Sequence, residues 1–321
     1  MAKTHHPRRG SLQYWPRKRA RKIRPRINSW KAVEEVKLLG FLGYKAGMSH
    51  VIVKEKRGKK EEEIFYPVTI LECPPLKPLA IRFYKKTENG LMAVKDVYAE
   101  KFDKELSRKF KPPKKKVEIP KMEEFDDLRL IVYTRPKNTS IGKKKPDIIE
   151  LGIGGKSKEE KLEFAKNLLG KEEIKVSEIF KQGQFVDVHG VTKGKGFQGT
   201  VKRYGVAVKQ HKSEKTKRGI GTLGPWTPKR VLYSVPQPGK MGFHLRTEFN
   251  KFIIKIGDKV EEINPKGGLV NYGFIKNEYV IIKGSIPGSK KRPVVLTEAQ
   301  RPPKKIPQIT EIIHISQKSQ Q

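Results

Sequence analysis

The sequence predicts a mainly β protein: a β-barrel interrupted by an inserted α+β domain and carrying long basic extensions. Three features predict it. Residues 36–75 and 181–300 hold β-branched, aromatic and apolar runs punctuated by Gly and Pro, the pattern of strands and turns. Residues 76–180 change character: eighteen acids stand there against twenty-six Lys or Arg, more than half of the chain's 34 acids in a third of its length. Finally, His189–Arg246 carries ten Gly, thirteen Lys or Arg and a single acid, Glu214. That segment has too few apolar side chains to offset the entropy of ordering it, so it reads as a loop rather than a core element.

Residues 1–35 form a basic N-terminal extension. Its first 31 residues hold eleven Lys or Arg and no acid, and Pro7, Pro16 and Pro25 interrupt any helix. By itself such a segment reads as a disordered tail. Against a polyanion, Arg8, Arg9, Arg17, Lys18, Arg19 and Arg21 would meet phosphates while Trp15 stacks on a base or a sugar. Next, VKLLGFLGYKAGMSHVIVKE and IFYPVTILECPP read as strands ending at Pro74-Pro75, joined by a charged turn around Gly58. Lys45, in the first of them, is a further expected contact to a polyanionic ligand.

In the insert, 76–180, Tyr98, Phe102, Leu106 and Phe110 recur at four-residue steps, which predicts one helix face. LRLIVYTRP, 128–136, reads as a strand. Ser157-x-x-Glu160 is a capping-box pattern opening a helix that presents Leu162, Ala165, Leu168 and Leu169 and stops at Gly170. The near-balanced charge suits a surface facing water or protein more than nucleic acid. Beyond it, QFVDVHG, FNKFIIKIG, GFIKNEYVIIKGSIPG and KRPVVLTEA are strand-like. Strands before 75 and after 184 then make one β unit, and a barrel closes it economically because closure hides the sheet edges. The tail, 301–321, is rich in Pro and Gln and shows no readable packing.

Charge narrows the function. Lys plus Arg total 71 against 34 Asp plus Glu, a formal net charge of +37. Self-repulsion on this scale destabilises a free compact chain and is relieved by a polyanion. A membrane surface is disfavoured: no run approaches the roughly 20 apolar residues of a span, and the basic segments are Gly- and Pro-rich rather than amphipathic. The first residues lack the apolar stretch of a signal peptide. The lone Cys73 excludes an internal disulfide and fits a reducing compartment. Asn138-Thr139-Ser140 is then a coincidental sequon.

Two stretches match G-x-G-x-x-G, Gly194–Gly199 and Gly219–Gly224. A dinucleotide site needs a strand before the motif and a helix after it. TVKRYGV after the first is no amphipathic helix, and the second runs into Pro225. The seven histidines show no metal-ligand spacing, and no carboxylate pair or nucleophile–base set stands out. No catalytic residue, metal or cofactor is expected. The expected ligand-binding side chains are instead cationic and aromatic. In the long loop they are Lys193, Lys195, Phe197, Lys202 and Arg203, then Lys212, Lys217 and Arg218, then Trp226, Lys229 and Arg230, and finally Lys240, His244 and Arg246. Lys290, Lys291 and Arg292 form a further cluster. Trp226, between Pro225 and Pro228, is either a loop tip or a packed core residue. It stands 37 residues beyond His189, and an arm of roughly 20 extended residues reaches on the order of 60 Å.

Several segments resemble one family. LGFLGYKAGMSHV (39–51), VTILECPP (68–75), VDVHGVTKGKGFQGTVKRYG (186–205), GTLGPWTPKRVLYSVPQPGKMGFHLRTEFNK (221–251) and GGLVNYGFIKNEYVIIKGSIPGSKKR (267–292) resemble the universal large-subunit ribosomal protein L-three family, in its archaeal and eukaryotic form. The resemblance implies a six-stranded antiparallel barrel similar to that of translation factors. It also implies extensions threaded into large-subunit rRNA near its 3′ end, early binding in assembly, neighbouring ribosomal proteins as partners, a cytoplasmic location and no homo-oligomer. In that family one loop tip with a tryptophan approaches the peptidyl transferase centre, and Trp226 matches it. The insert matches only in strand and helix character. A histidine methylated in some eukaryotic members has no counterpart; Glu214 falls near its place. Abundant Lys and Glu with few Cys and Met lean towards a thermophile. Two rival readings stay in view: an RNA-modifying enzyme with basic arms, which would need a cofactor pocket, and a chromatin-type DNA binder, which would show a groove-reading element.

Overall fold

A computed structural model describes residues 7–58, 60–111, 113 and 117–318. The chain divides into two compact units, one made of Met1–Lys22 with Val191–Leu245, the other of Ile23–Gly190 with Arg246–Gln321.

The second unit is mainly β. Its strands are β1 (Gly40–Arg57), β2 (Lys60–Glu72), β3 (Leu76–Thr87), β4 (Gly90–Tyr98), β5 (Asp127–Thr134) and β6 (Ile148–Gly152). Helix α1 (Lys158–Gly170) follows, then β7 (Phe185–Val191). After a two-residue ribbon, β8 (Phe197–Gln198) with β9 (Gly239–Lys240), come β10 (Leu245–Gly257), β11 (Tyr279–Lys283), β12 (Pro293–Glu298) and β13 (Gln308–Ile315). Seven strands form one sheet in the order β12-β7-β10-β11-β2-β1-β13, and β1 also pairs with β12. The length of β1 makes this possible. Gly40–Tyr44 lies antiparallel to β12, and Val51–Lys56 lies antiparallel to β13, while β2 runs along the other edge. A bulge between Lys45 and Gly47 re-aims the strand between these two partnerships.

Buried side chains fill the core: Phe41, Leu42 and Tyr44 from β1, Val68 and Ile70 from β2, Val186 and Val188 from β7, and Ile253, Ile281 and Val295. Burying each aliphatic or Phe side chain contributes about 1.5–3 kcal/mol. β3–β6 form a separate antiparallel sheet, β4-β3-β5-β6, covered by α1 through Leu162, Ala165 and Leu168. Ser157 caps α1 as its sequence pattern predicts, its Oγ accepting from the Glu160 N–H at 3.1 Å. Gly170 is the last helical residue and Lys171 the C-cap.

The four-residue spacing of Tyr98, Phe102, Leu106 and Phe110 does not make a helix. Tyr98 ends β4, and only Lys104–Arg108 winds into a short 3₁₀ turn. The four side chains still meet, with Leu79, Ile131 and Tyr133, in a small second core. Tertiary contacts prevail over helical spacing here because Asp103 is held by its carboxylate. Arg135 grips it through Nε (2.7 Å) and Nη2, Tyr133 donates at 2.9 Å and Lys77 at 3.2 Å.

Strand GFIKNEYVIIKGSIPG is also shorter than its composition predicts, β11 starting only at Tyr279. The buried Glu72 explains it. Its Oε1 accepts from the backbone of Lys276 (2.9 Å) and Asn277 (3.2 Å) and from Asn277 Nδ2 (2.7 Å), while Tyr272 donates to Oε2. Those residues are therefore curled around a carboxylate and cannot extend.

The tail after Arg301 supplies β13, whose Ile309, Ile312 and Ile315 pack on the core. Their three-residue spacing conceals a strand because register shifts between β1 and β13 break the alternation.

Candidate nucleic-acid interface

The first unit contains twenty Lys or Arg and one acid, Glu214. The sequence alone reads tail and loop as separate unstructured segments. The structure gives them a shared organisation. The loop is zipped at its base by Thr192 N–H to His244 O (2.9 Å), Lys195 N–H to Met241 O (2.9 Å) and Met241 N–H to Gly196 O (2.8 Å), with β8 and β9 continuing the ribbon. Gly242 has φ +77° and faces the Lys193 carbonyl so closely that a Cβ would stand 2.0 Å from it; only glycine fits.

Tyr204 organises the centre of this unit. It is buried at the end of the single-turn helix α2 (Thr200–Tyr204), which stops at Gly205 in the left-handed region. Trp15 stacks on it with centroids 6.1 Å apart, and the Arg17 guanidinium lies 4.1 Å above its ring. Gly10 N–H donates to the Tyr204 carbonyl (3.1 Å). Arg17 Nη1 donates to the Arg203 carbonyl (2.7 Å) and Nη2 to the Ser11 carbonyl (3.2 Å). Arg203 in turn donates to the carbonyls of Gln237 (2.8 Å) and Lys240 (3.1 Å), and Arg8 to that of Ser234 (3.3 Å). His244 Nδ1 donates to the Lys18 carbonyl (2.7 Å), and the Arg19 guanidinium lies 5.4 Å from the centre of the Phe243 ring. The sequence alone puts these residues at the ligand. The structure makes Arg8, Trp15, Arg17, Arg203 and His244 also the internal scaffold. Tyr204, which sequence reasoning misses, is its hub; its only sequence signal is an aromatic residue inside a cationic run.

The outside is mostly cationic, with exposed aromatic and some aliphatic side chains among the charges. Arg9, Lys18, Arg21, Lys193, Lys195 and Lys202 are exposed, as are Lys212, Lys217, Arg218, Lys229, Arg230 and Lys240. Phe197 projects from the ribbon into solvent, as does Tyr233. Trp226 is 84% exposed, with the Lys229 ammonium 5.8 Å from its ring centre, so it is no core tryptophan. TVKRY after the first glycine motif forms only α2; no helix long enough for a dinucleotide site follows it.

The other expected residues lie in the second unit. Lys291 is exposed, and Arg246, Lys290 and Arg292 are half-buried. Lys290 donates to the Val270 carbonyl (2.7 Å), and burial lowers the pKa of Arg292. Lys45, also expected at the ligand, is buried, and its ammonium donates to the carbonyls of Ile286 (2.7 Å) and Gly288 (3.4 Å). The bulge beside it turns the side chain inward onto this loop. Among the described residues no group of three or more His, Cys, Asp or Glu could hold a metal, and no helix is long and apolar enough to cross a membrane.

Comparison with known proteins agrees with the resemblance. The family model described as ribosomal protein L3 matches residues 1–321. The large ribosomal subunit protein uL3 of Methanobrevibacter smithii is 48% identical, the alignment covering 100% of this chain and 99% of the relative. That of Methanocaldococcus jannaschii is 48% identical over 98% and 97%, and that of Archaeoglobus fulgidus 46% identical over 99% of this chain and 98% of the relative. These relatives are named as ribosomal components and not as enzymes. With a match running the length of the chain and through the Gly-, Lys- and Trp-bearing loop, the chain belongs to the ribosomal protein L3 family.

Proposed function

We propose that this chain is a structural, non-catalytic component of the large ribosomal subunit in the cytoplasm. Its principal ligand is large-subunit rRNA near the 3′ end, where it binds early in assembly beside neighbouring ribosomal proteins. The observation that carries the reading is the first unit: twenty cations and one acid, with Trp226, Phe197 and Tyr233 exposed around a scaffold that uses some of its own arginines to hold shape. Cations neutralise phosphates, glycines permit close backbone approach, and aromatic rings stack on unpaired bases. Trp226 is the tip that approaches the peptidyl transferase centre. The second unit is the mainly β part of the chain. The pairing of β1 with both β2 and β12 supports a closed six-stranded barrel there, of β1, β2, β7, β10, β11 and β12, with the α+β insert at 76–180. Sucrose-gradient fractionation tests the reading. The chain should co-sediment stoichiometrically with intact large subunits and be released by nuclease; a chain that stays at the top of the gradient in untreated extract refutes it.

A further inference from the structure

Strand β4 is the outermost strand of the four-stranded sheet, and among the described residues nothing pairs with its outer edge. Its first half runs past the core. Gly90–Val94 is exposed throughout, as are the opposing Lys85, Lys86 and Thr87 of β3. No charge lies in Gly90–Val94, and its side chains are apolar: Leu91 is 46% exposed, Met92 55% and Val94 43%. A long apolar edge with free N–H and C=O groups is a template for another strand, and proteins that keep one unprotected normally have it covered. Lys, Pro or inward charge would blunt such an edge; Gly90–Val94 contains none of them.

The charges beside the edge say what covers it. Lys86 lies opposite Leu91 and Lys85 opposite Met92, so one cation stands on each face of the hairpin next to an apolar side chain. Neither Lys forms an ion pair among the described residues, nor does Lys95 at the inner end of the exposed stretch. Asp96 is already taken by Arg82 through two hydrogen bonds of 2.6 and 2.7 Å. Asp126, which accepts from the Lys86 backbone N–H at 2.8 Å and feels the Lys85 charge, is shared with the Lys158 ammonium at 3.3 Å, and Glu88 lies in the turn. A second copy of this chain would set Lys85, Lys86 and Lys95 against their like. RNA would suit the lysines but not the aliphatic edge, which offers no ring to stack. We propose that the outer edge of β4 binds an extended segment of a different protein as an added strand. That segment is apolar where it lies beside Leu91–Val94 and carries Asp or Glu on both faces within reach of Lys85 and Lys86. Edge addition of this kind draws its affinity from main-chain hydrogen bonds and its selectivity from alternate side chains.

This interface is separate from the rRNA-binding reading. The test places the photo-cross-linking amino acid p-benzoylphenylalanine at Met92 of the full chain and irradiates living cells. Cross-linked peptides are then isolated under denaturing conditions and sequenced by mass spectrometry. Gradient sedimentation of the same cells is scored independently, so a failure of the rRNA reading shows there and not in the cross-link. The expected product is a single protein segment with alternating apolar residues and flanking Asp or Glu. Adding Leu91→Lys and Val94→Lys should reduce that product more than fivefold while leaving the melting of the free chain unchanged, since both side chains are exposed. Cross-linking to RNA, to a second copy of the chain or to a partner helix overturns the proposal. So does the absence of any product, or a yield indifferent to the two lysines.

Discussion

The Trp30 indole lies against the backbone of Gly152, so closely that a Cβ built there would stand 2.7 Å from the ring. Gly40 backs the same ring, its Cβ position 3.1 Å away. The first predicted extension thus ends in an anchor: two glycines, on β6 and β1, leave a slot that one tryptophan fills. Gly152→Ala should destabilise the protein by about 1–3 kcal/mol, the usual cost of overpacking. Chemical denaturation checks this, with the double variant Gly152→Ala/Trp30→Ala as the control. Fully additive effects in that pair would show that ring and glycine do not share the slot.

Glu72 is buried and gathers four donors from Tyr272, Lys276 and Asn277. Glu72→Ala would strand these donors, each buried unsatisfied group costing about 1–3 kcal/mol. We expect a destabilisation of more than about 2 kcal/mol, accompanied by fast amide exchange at residues 272–278. Protection unchanged in that segment would refute the role assigned to the carboxylate.

His189 sits between two hydroxyls, Thr297 Oγ1 at 3.0 Å from Nε2 and Thr247 Oγ1 at 2.9 Å from Nδ1. Burial lowers its pKa, partly opposed by Asp187. A depressed histidine pKa means that the unfolded chain binds the proton more readily. Its contribution is therefore complete above the unfolded value near 6.5 and is lost as pH falls below it, levelling off under the folded pKa. Stability measured between pH 5 and 7.5 should rise with pH, and His189→Gln should flatten that rise. An identical slope in the variant would place the titration elsewhere.

Trp226 makes no core contact that its removal could cost. Trp226→Ala should leave thermal unfolding of the free protein within about 0.5 kcal/mol, as exposed substitutions do, where a core tryptophan would cost about 3–5 kcal/mol. If Trp226 is the tip proposed to approach the peptidyl transferase centre, its replacement should show in the assembled subunit, as altered peptidyl transfer or altered antibiotic binding at that centre. A sharply lowered melting temperature would contradict the exposed-tip reading.

Lys193, Lys195 and Lys202 are exposed, whereas Arg203 is tied to two carbonyls. Replacing the three lysines with Gln should lower the salt dependence of rRNA-fragment binding, by about 0.9 in log–log slope for each duplex phosphate that is no longer neutralised. Arg203→Gln should instead loosen the loop and increase its proteolysis. If the triple variant keeps the original slope, the phosphates are met elsewhere.

The sequence by itself determined the class, the basic surface and many of the elements. Charge, glycine content and β-branched runs are local quantities, legible without coordinates: the cap at Ser157, the strand at 128–134 and the cationic loop all follow from neighbouring residues. Tertiary structure alone decided which cations are scaffold. Arg17 and Lys202 look alike in the chain, yet Arg17 spans Tyr204 and two carbonyls while Lys202 faces solvent. The same holds for Lys45, turned inward by a bulge, for the aromatic four-residue repeat that packs without a helix, and for β13, whose register shifts hide its alternation. In each case the deciding partner lies far along the chain, where a carbonyl, a carboxylate or a ring outweighs a local preference of a few tenths to about one kcal/mol per residue.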